Sequence, residues 1–404
     1  FEELSIKWSG LNPSLIFDNI SLHNETKNQH YLSGKKLILK INFINSLTKL
    51  KLVPEEINLV SSNIDLTYNK NGIYIKDFNF LKDNDPSNTD LENIKFRVTN
   101  SNINVNNMIT SHNYELLNIN MVVFKQKNEV KLFTTFNHQS SKEVIHLASN
   151  LSFDRDNNIN GQLYSKGNNI NLSKPLALYQ KLGITATNID YTFWADIENG
   201  KFVDLEANID AFQSKITNNL TKDRLLLDNF SSKIFYKMTS GTTNLSLTDL
   251  SFMTQNSKYE NNHIHITQQD KVISEMSINQ LNVSDLKNSL RLLALRSGSV
   301  VNTSLTLIDN GVLNNIILLG LNDKKNFRYG LNFSQTGFNN NELKISNTSG
   351  TLKGNNKIGY LDLDSNDVGI NYKNDTYYIS SIDGNLYYQY SKGKLMMSSN
   401  NIRL

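Results

Sequence analysis

The chain has 404 residues, 38% of them apolar and 20% charged, a balance that belongs to folded proteins and excludes a disordered one. Its formal net charge of +3 is spread without a Lys/Arg block, so the electrostatic footprint of a nucleic-acid binder is missing. The absence of cysteine excludes thiolate metal sites, thiol catalysis and disulfides, and no apolar run of about 18 residues exists to form a transmembrane helix.

The first residues, FEELSIKWSGLNPSLIFDNISL, alternate apolar side chains at Leu4, Ile6 and Trp8, break at Ser9-Gly10-Leu11-Asn12-Pro13, and alternate again through Leu15, Phe17, Ile20 and Leu22. Period two marks a strand with one apolar face, and Gly10 with Pro13 supplies turn chemistry, so a hairpin is expected. The same alternation carries Ile64, Leu66 and Tyr68 into Asn71-Gly72, a dipeptide suited to a type I′ turn, and out again through Ile73 and Ile75. Further strands are expected around Ile94, Phe96 and Val98, around Leu132 to Phe136, through Ile145, Leu147, Ser149, Leu151 and Phe153, and at Tyr329, Leu331 and Phe333. Outward partners are mostly Asn, Lys, Ser, Thr and Asp. Roughly one residue in six is Asn, with Lys and Ile also abundant, a bias read as that of an AT-rich genome and discounted as a source of ligands.

Two segments depart from period two. LSKPLALYQKLG predicts a short helix from Ser173 to Leu182, with Ser173 as N-cap, Pro175 in the first turn and Gly183 as the stop. VSDLKNSLRLLALRSG predicts a second from Ser284 to Arg296, with Asp285 in its first turn and Leu286, Leu290 and Leu293 at helical spacing. Asn199-Gly200 and Asn310-Gly311 each follow their cap by the same interval (199 − 173 and 310 − 284, both 26), flanked by strands such as Tyr191, Phe193, Ala195 and Ile197. This reads as a weak repeat of helix plus strand meander, dividing one elongated domain into segments 1–172, 173–283 and 284–404.

Candidate chemistry is sparse. His263 and His265 share a strand face but lack a third ligand, so they read as a solvated face with no metal. Gly350, Gly354 and Gly359 lack dinucleotide-loop spacing, and the strand LDLD follows where a phosphate would need a helix, so they read as a turn-rich hairpin. Asp362 and Asp364 face one side without a cleft, and Asp154-Arg155-Asp156 is a polar hairpin tip with too few ligands for calcium. Sequons at Asn150, Asn219 and Asn302 arise by chance in so Asn-rich a chain. No catalytic residue, cofactor or metal is expected, and the chain is not read as an enzyme.

The Trp8-x-Gly10-x-x-Pro13 break, the following LIFDNISL and GKKLILKINFINSLTKLKLVPEEINLVSSNIDLTYNKNGIYI resemble the start of YhdP-like proteins of the AsmA/TamB superfamily. LKISNTSGTLKGNNKIGYLDLDSNDVGI with IDGNLYYQY resembles that family's recurrent glycine hairpin, and LNVSDLKNSLRLLALRSG with LTLIDNGVLNNIILL its helix followed by a strand. The match departs at Ile308-Asp309-Asn310, where a Pro before the Gly is usual. The resemblance implies a periplasmic protein of the Gram-negative cell envelope, held to the inner membrane by an anchor upstream of Phe1. It implies a long, twisted, mostly antiparallel β-sheet groove with a few short helices, which carries phospholipid passively to the outer membrane and an outer-membrane partner. Ile64, Leu66, Phe96, Val98, Leu147, Leu151, Phe193, Ile197, Leu331 and Phe333 are expected to line that groove. A TamB-like role in outer-membrane protein assembly and a non-enzymatic β-solenoid scaffold or adhesin are the alternatives.

Overall fold

The computed structural model describes residues 1–404 except 25–28, 70–71, 76–77, 80–92, 109–111, 139–142, 155–157, 180–181, 219–221, 256, 271, 293–307, 324–325, 340–342, 374 and 392–393. The fold is mainly β and mostly antiparallel, with two short helices among the described residues. It divides into two units, Phe1–Lys174 with Asn188–Val203, and Pro175–Thr187 with Asp204–Leu404.

The first unit contains β1 (Glu3–Ser9), β2 (Asn12–Asn24), β3 (Gln29–Ile41), α1 (Phe43–Lys49), β4 (Pro54–Asn69), β5 (Gly72–Ile75), β6 (Phe78–Asn79), β7 (Asn93–Asn107), β8 (His112–Gln126), β9 (Glu129–His138) and β10 (Val144–Phe153). To these it adds most of β11 (Ile159–Tyr179) and of β12 (Leu182–Glu198). β1 to β6 pair antiparallel in succession, as do β7 to β11, and β4 pairs in parallel with β7, from Glu56 opposite Lys95 to Tyr68 opposite Asn107. That parallel register carries an ion cluster on the polar face, with Glu56 bound to Arg97 at 3.0 Å and to Lys95 at 3.2 Å. Burial pushes the Glu56 carboxyl up, but the hydrogen bonds and charges of Arg97 and Lys95 outweigh it and hold the group below its ordinary value of 4.5.

The second unit is a meander of β13 (Lys201–Asn218), β14 (Arg224–Thr239), β15 (Thr242–Met253), β16 (Lys258–Gln269), β17 (Val272–Asn282), β18 (Val312–Leu319), β19 (Arg328–Asn339), β20 (Leu343–Asn355), β21 (Ile358–Tyr372), β22 (Asp375–Ser391) and β23 (Lys394–Arg403). All its strand pairings are antiparallel, and α2 (Val283–Leu292) stands between β17 and β18.

Several local expectations are corrected. Residues 173–179 continue β11 and do not form a helix. Lys174 precedes Pro175 and is biased to the extended region, and an isolated helix of that length is marginal against a strand ladder that has already run from Ile159. Helix α2 forms where expected, but its capping oxygen is Asn282 Oδ1, which accepts from the Ser284 N–H at 2.9 Å; the expected end at Arg296 lies outside the described residues. Asn69 pairs with Gly72, so Gly72 belongs to a strand one position earlier than the Asn71-Gly72 turn would allow. Asn199-Gly200 joins β12 and β13 with both residues at positive φ, as a type I′ turn requires. Asn310-Gly311 instead follows an isolated bridge between Ile308 and Phe338 and leads into β18.

One feature recurs through both units. Asn19, Ser61, Asn100, Asn118, Asn169 and Asn188 in the first, and Gln213, Asn229, Asp249, Asn261, Asn315, Gln335, Asn347 and Asp367 in the second, sit inside strands with φ between 47° and 61°. Many stand at a β-bulge: Val98 and Ser101 both point inward across Asn100, register breaks there between β7 and β8, and it breaks likewise at Asn229, Asp249, Asn315, Gln335 and Asn347. A left-handed residue costs an ordinary L-side chain roughly 1–2 kcal/mol, and Asn and Asp pay least. The N–H turned out of the ladder finds a side-chain oxygen two residues beyond the bulge of the adjacent strand. Asn100 donates to Asn120 Oδ1 and Asn118 to Asn102 Oδ1, both at 3.2 Å. Asn169 donates to Asp190 Oδ1, Asn261 to Ser251 Oγ and Gln335 to Ser349 Oγ.

A bulge bends its strand, and neighbouring strands that bend together crease the sheet. In the first unit Leu59, Ile64, Val98, Ile103 and Ile119 are nearly or fully buried by side chains of their own sheet, including Ile20, Leu37, Phe96 and Met121. Val98 keeps 1% exposure with no second sheet or helix of the described residues packed on it, which a flat single layer does not achieve. The apolar face is therefore the concave one.

Replacing Asn261 by Val should lower stability by about 1–2 kcal/mol, while Asn261→Gly leaves the denaturation midpoint almost unchanged and Ser251→Ala costs about 1 kcal/mol. Equal midpoints for the Val and Gly variants in urea would show that the left-handed backbone carries no cost. Glu56 stabilises the fold above pH 4.5, and this contribution disappears as pH falls through its depressed folded pKa. Glu56→Gln is accordingly less stable at neutral pH and loses less on acidification, read from urea midpoints along a pH series.

Candidate functional site

The concave face of the first unit is read directly from its register. One cross-strand row runs Leu15, Leu39, Ile57, Phe96, Val123, Leu132, Ser149 and Leu163 from β2 to β11. The adjacent row runs Phe17, Leu37, Leu59, Val98, Met121, Thr134, Leu147 and Ser165. Ile64 lies beside Leu32 and Ile103, Leu66 beside Val105, and Leu151 beside Val130 and Gly161 on the same face. The Tyr191 hydroxyl meets Ser165 Oγ at 3.1 Å, which puts Tyr191 on this face, and period two then brings Phe193 and Ile197 to it as well. Burial pushes the Tyr191 hydroxyl up, against the lowering effect of Ser165, so it stays protonated.

In the second unit Phe333 is buried with Val283, Leu313 and Ile316, and Leu331 packs against this cluster with Leu352, Leu361 and Leu363. The rows there run Leu313, Phe333, Gly350, Leu363 and Gly384, and Leu331, Leu352, Leu361 and Leu386. Of the ten candidate lining residues, Ile64, Val98 and Phe333 are buried and the other seven half-buried. Eight share the face of the first unit and two that of the second.

Gly350 and Gly354 lie within β20 and Gly359 within β21, so they are strand residues, which corrects their reading as turn residues. Their role is spatial. A Cβ on Gly359 would stand 2.1 Å from Tyr388 Cζ; one on Gly354 would meet backbone first, Ile358 O at 2.6 Å, and then the Tyr329 hydroxyl at 2.8 Å, and one on Gly350 would meet Asp362 O at 2.0 Å and Phe333 Cζ at 3.0 Å. Gly167 stands in the same relation to Tyr191 in the first unit, at 2.6 Å. Each ring occupies the space a side chain on the next strand would take, an aromatic cover of a strand glycine.

Most polar groups are on the other face or tied down, Ser149 in the concave row being an exception whose buried hydroxyl has no partner among the described residues. His265 Nδ1 meets Ser246 Oγ at 2.7 Å and its Nε2 meets Thr267 Oγ1 at 3.2 Å, while His263 stacks on it at 6.4 Å. Among the described residues no three His, Asp or Glu side chains gather as metal ligands. Asp154 closes its own loop by accepting from Asn158 N at 2.8 Å. A buried exception holds helix α2. Asp285 accepts from the Tyr259 hydroxyl at 2.8 Å and from Thr254 Oγ1 at 3.1 Å, and the same hydroxyl accepts from the Asn282 N–H at 2.9 Å. Burial above all, and then the neighbouring Asp285, push the Tyr259 hydroxyl far up, so it serves as a permanent donor. With Val283 fully buried among Leu313, Ile316 and Phe333, this network pins α2 against the concave face.

Sequence reasoning missed the Asn ladder, the aromatic covers and the Asp285 network. The first had a signal, an Asn, Asp or Gln interrupting period two with a polar residue two positions later. The other two join residues 17–31 positions apart, and no local pattern announces them. Gly359→Ala forces the Tyr388 ring off the floor and should cost about 1–3 kcal/mol, whereas adding Tyr388→Ala to it should cost less than the two single effects summed. Additive thermal denaturation shifts would rule out the contact as the reason for the glycine.

The family model described as YhdP protein matches residues 1–404. No curated protein and no solved structure matches the chain. With a family match along the whole sequence, the chain belongs to the YhdP family.

Proposed function

We propose that the chain is a passive conduit in which lipid acyl chains travel along the concave apolar face. The observation that carries the reading is that in the first unit this face runs from strand to strand in rows that are mostly Leu, Ile, Val, Met and Phe, interrupted by Thr134, Ser149 and Ser165, and is left largely half-buried with no second layer of described residues upon it. A sheet must cover such a face with protein or with ligand. Membership of the YhdP family supports a lipid-transport role.

The finer reading is that the cargo is phospholipid passing from inner to outer membrane across the periplasm, with the chain held to the inner membrane by a segment upstream. At about 0.8 kcal/mol per buried methylene, carrying roughly 30 methylenes of a two-chain lipid through open water costs on the order of 25 kcal/mol. A trough that replaces water around the tails removes most of that barrier and needs no catalytic residue. The floor is suited to sliding because its aromatic rings lie over glycines and its bulge carbonyls and N–H groups are bonded to side chains on the convex side.

Leu147→Asp and Phe193→Asp place a carboxylate against acyl chains, a position that costs several kcal/mol in desolvation or forces protonation. His146→Asp and Thr192→Asp, the outward neighbours, shift stability by only about 0.5 kcal/mol. With all four variants folded by their thermal transitions, a photoreactive phospholipid should label the outward variants fully and the inward ones weakly. Undiminished labelling of folded Leu147→Asp and Phe193→Asp proteins would remove the conduit reading and favour a scaffold.

A further inference from the structure

At one end of the first unit the concave face passes into an apolar knob built on connections. The turn Gly10-Leu11, helix α1 and residues 50–53 lie at the same end of the sheet, since Ser9 pairs with Asn12, Ser14 with Lys40 and Ile41 with Pro54. Trp8, Leu11, Ile44, Leu47, Leu50 and Leu52 are 58–92% exposed there, and α1 buries none of its residues. Tips at the same end later in the unit are Lys127-Asn128 and Asn199-Gly200, which are polar.

The exposure is held in place from beneath. Asn42 caps α1 by accepting from Asn45 N, and Val53 N donates to Ser46 Oγ at 2.9 Å while the Val53 side chain is buried. Asn12 accepts from Phe43 N and donates to Glu55, which also binds Lys40 at 3.0 Å, and the Trp8 ring meets Phe43 edge-on at 6.0 Å. Leu50 ends the helix in the left-handed conformation at φ 51°, with its N–H bonded to Leu47 O. A leucine at a position that favours glycine, 92% exposed, is fixed where it cannot fold back onto the sheet.

We propose that this knob inserts into the surface of an anionic phospholipid bilayer. Trp with Leu and Ile on a projecting tip is the composition of an interfacial anchor, and the segments that build it carry Lys7, Lys40, Lys49 and Lys51, of which Lys40 binds Glu55. Trp8 and Ile6 stand on the strand face that pairs onward to Leu15 of the concave row, so acyl chains in the leaflet meet the trough without a polar gap. The inference rests on the conduit reading and assigns that conduit its mouth.

The chain has two tryptophans, and Trp194 lies far along the sheet against Tyr164 on the convex side, so Trp194→Phe leaves Trp8 as sole reporter. Mixed with vesicles of phosphatidylcholine and phosphatidylglycerol, this protein should bind with a blue-shifted Trp8 emission, and bind less to phosphatidylcholine alone. Leu50→Asp with Leu52→Asp, both on exposed side chains, should weaken binding at least about tenfold with unchanged circular dichroism. Vesicle binding without a Trp8 shift, binding unaffected by the two substitutions, or a knob that instead joins two copies of the chain in sedimentation would each overturn the proposal. Photolabelling by phospholipid in detergent separates the two readings. Labelling of the trough without vesicle binding sinks the knob alone, and vesicle binding without trough labelling sinks the conduit and leaves the knob.

Discussion

A backbone N–H turned out of a sheet ladder must find another acceptor, and the way this chain meets that demand shapes everything else in it. In most strands of both units one residue adopts the left-handed conformation, and for Asn100, Asn118, Asn169, Asn261 and Gln335 a side-chain oxygen two residues past the left-handed residue of the neighbouring strand takes up the N–H. The arrangement is reciprocal between β7 and β8, where each strand supplies the oxygen the other needs. Because the donors and acceptors stand on the polar face, the bends share one direction, and the apolar side chains beside them are drawn together. Ser62 and Ser101 show the tightness of the crease, both 1% exposed, with the Ser62 N–H bonded to Ser101 Oγ at 2.9 Å.

The calibre of the concave face depends on a second pairing, that of glycine with an aromatic ring. On an unbroken pleat Phe333, Tyr329 and Tyr388 would stand up from the floor, since side chains project roughly perpendicular to a sheet. Opposite glycines give each ring a place to lie down, so large apolar area is buried without filling the trough. The two helices treat the same face in opposite ways. Helix α2 is locked against it by Val283 and by the Tyr259–Asp285–Thr254 network, whereas α1 turns its apolar residues away from the sheet.

Asparagine abundance takes on a different meaning in this setting. Compositional bias accounts for a high count, but it does not place Asn at the left-handed position of nine strands or at the accepting position two residues later. Asn tolerates positive φ and carries both a donor and an acceptor on a short stem, which are the two properties a bulge ladder asks of a residue.

Alternation alone determined that the chain is a set of strands with one apolar face, because a period of two admits only one way of hiding Phe96, Val98, Leu147 and Leu151 together. It also determined the Asn199-Gly200 turn, whose two positive φ values ask for those residues, and a helix near Val283, whose leucines keep helical spacing. What lay beyond the sequence was settled by partners distant along the chain. Residues 173–179 have caps for a helix and became strand, since a strand ladder outweighs so short a helix. The parallel register of β4 with β7, the rings over Gly354 and Gly359 and the Asp285 network each join residues from separate strands, and such contacts exist only once the sheet has closed upon them. Whether an apolar face is flat or concave was likewise decided in three dimensions, because a lone bulge merely kinks its own strand and a trough forms only when neighbouring strands bulge side by side.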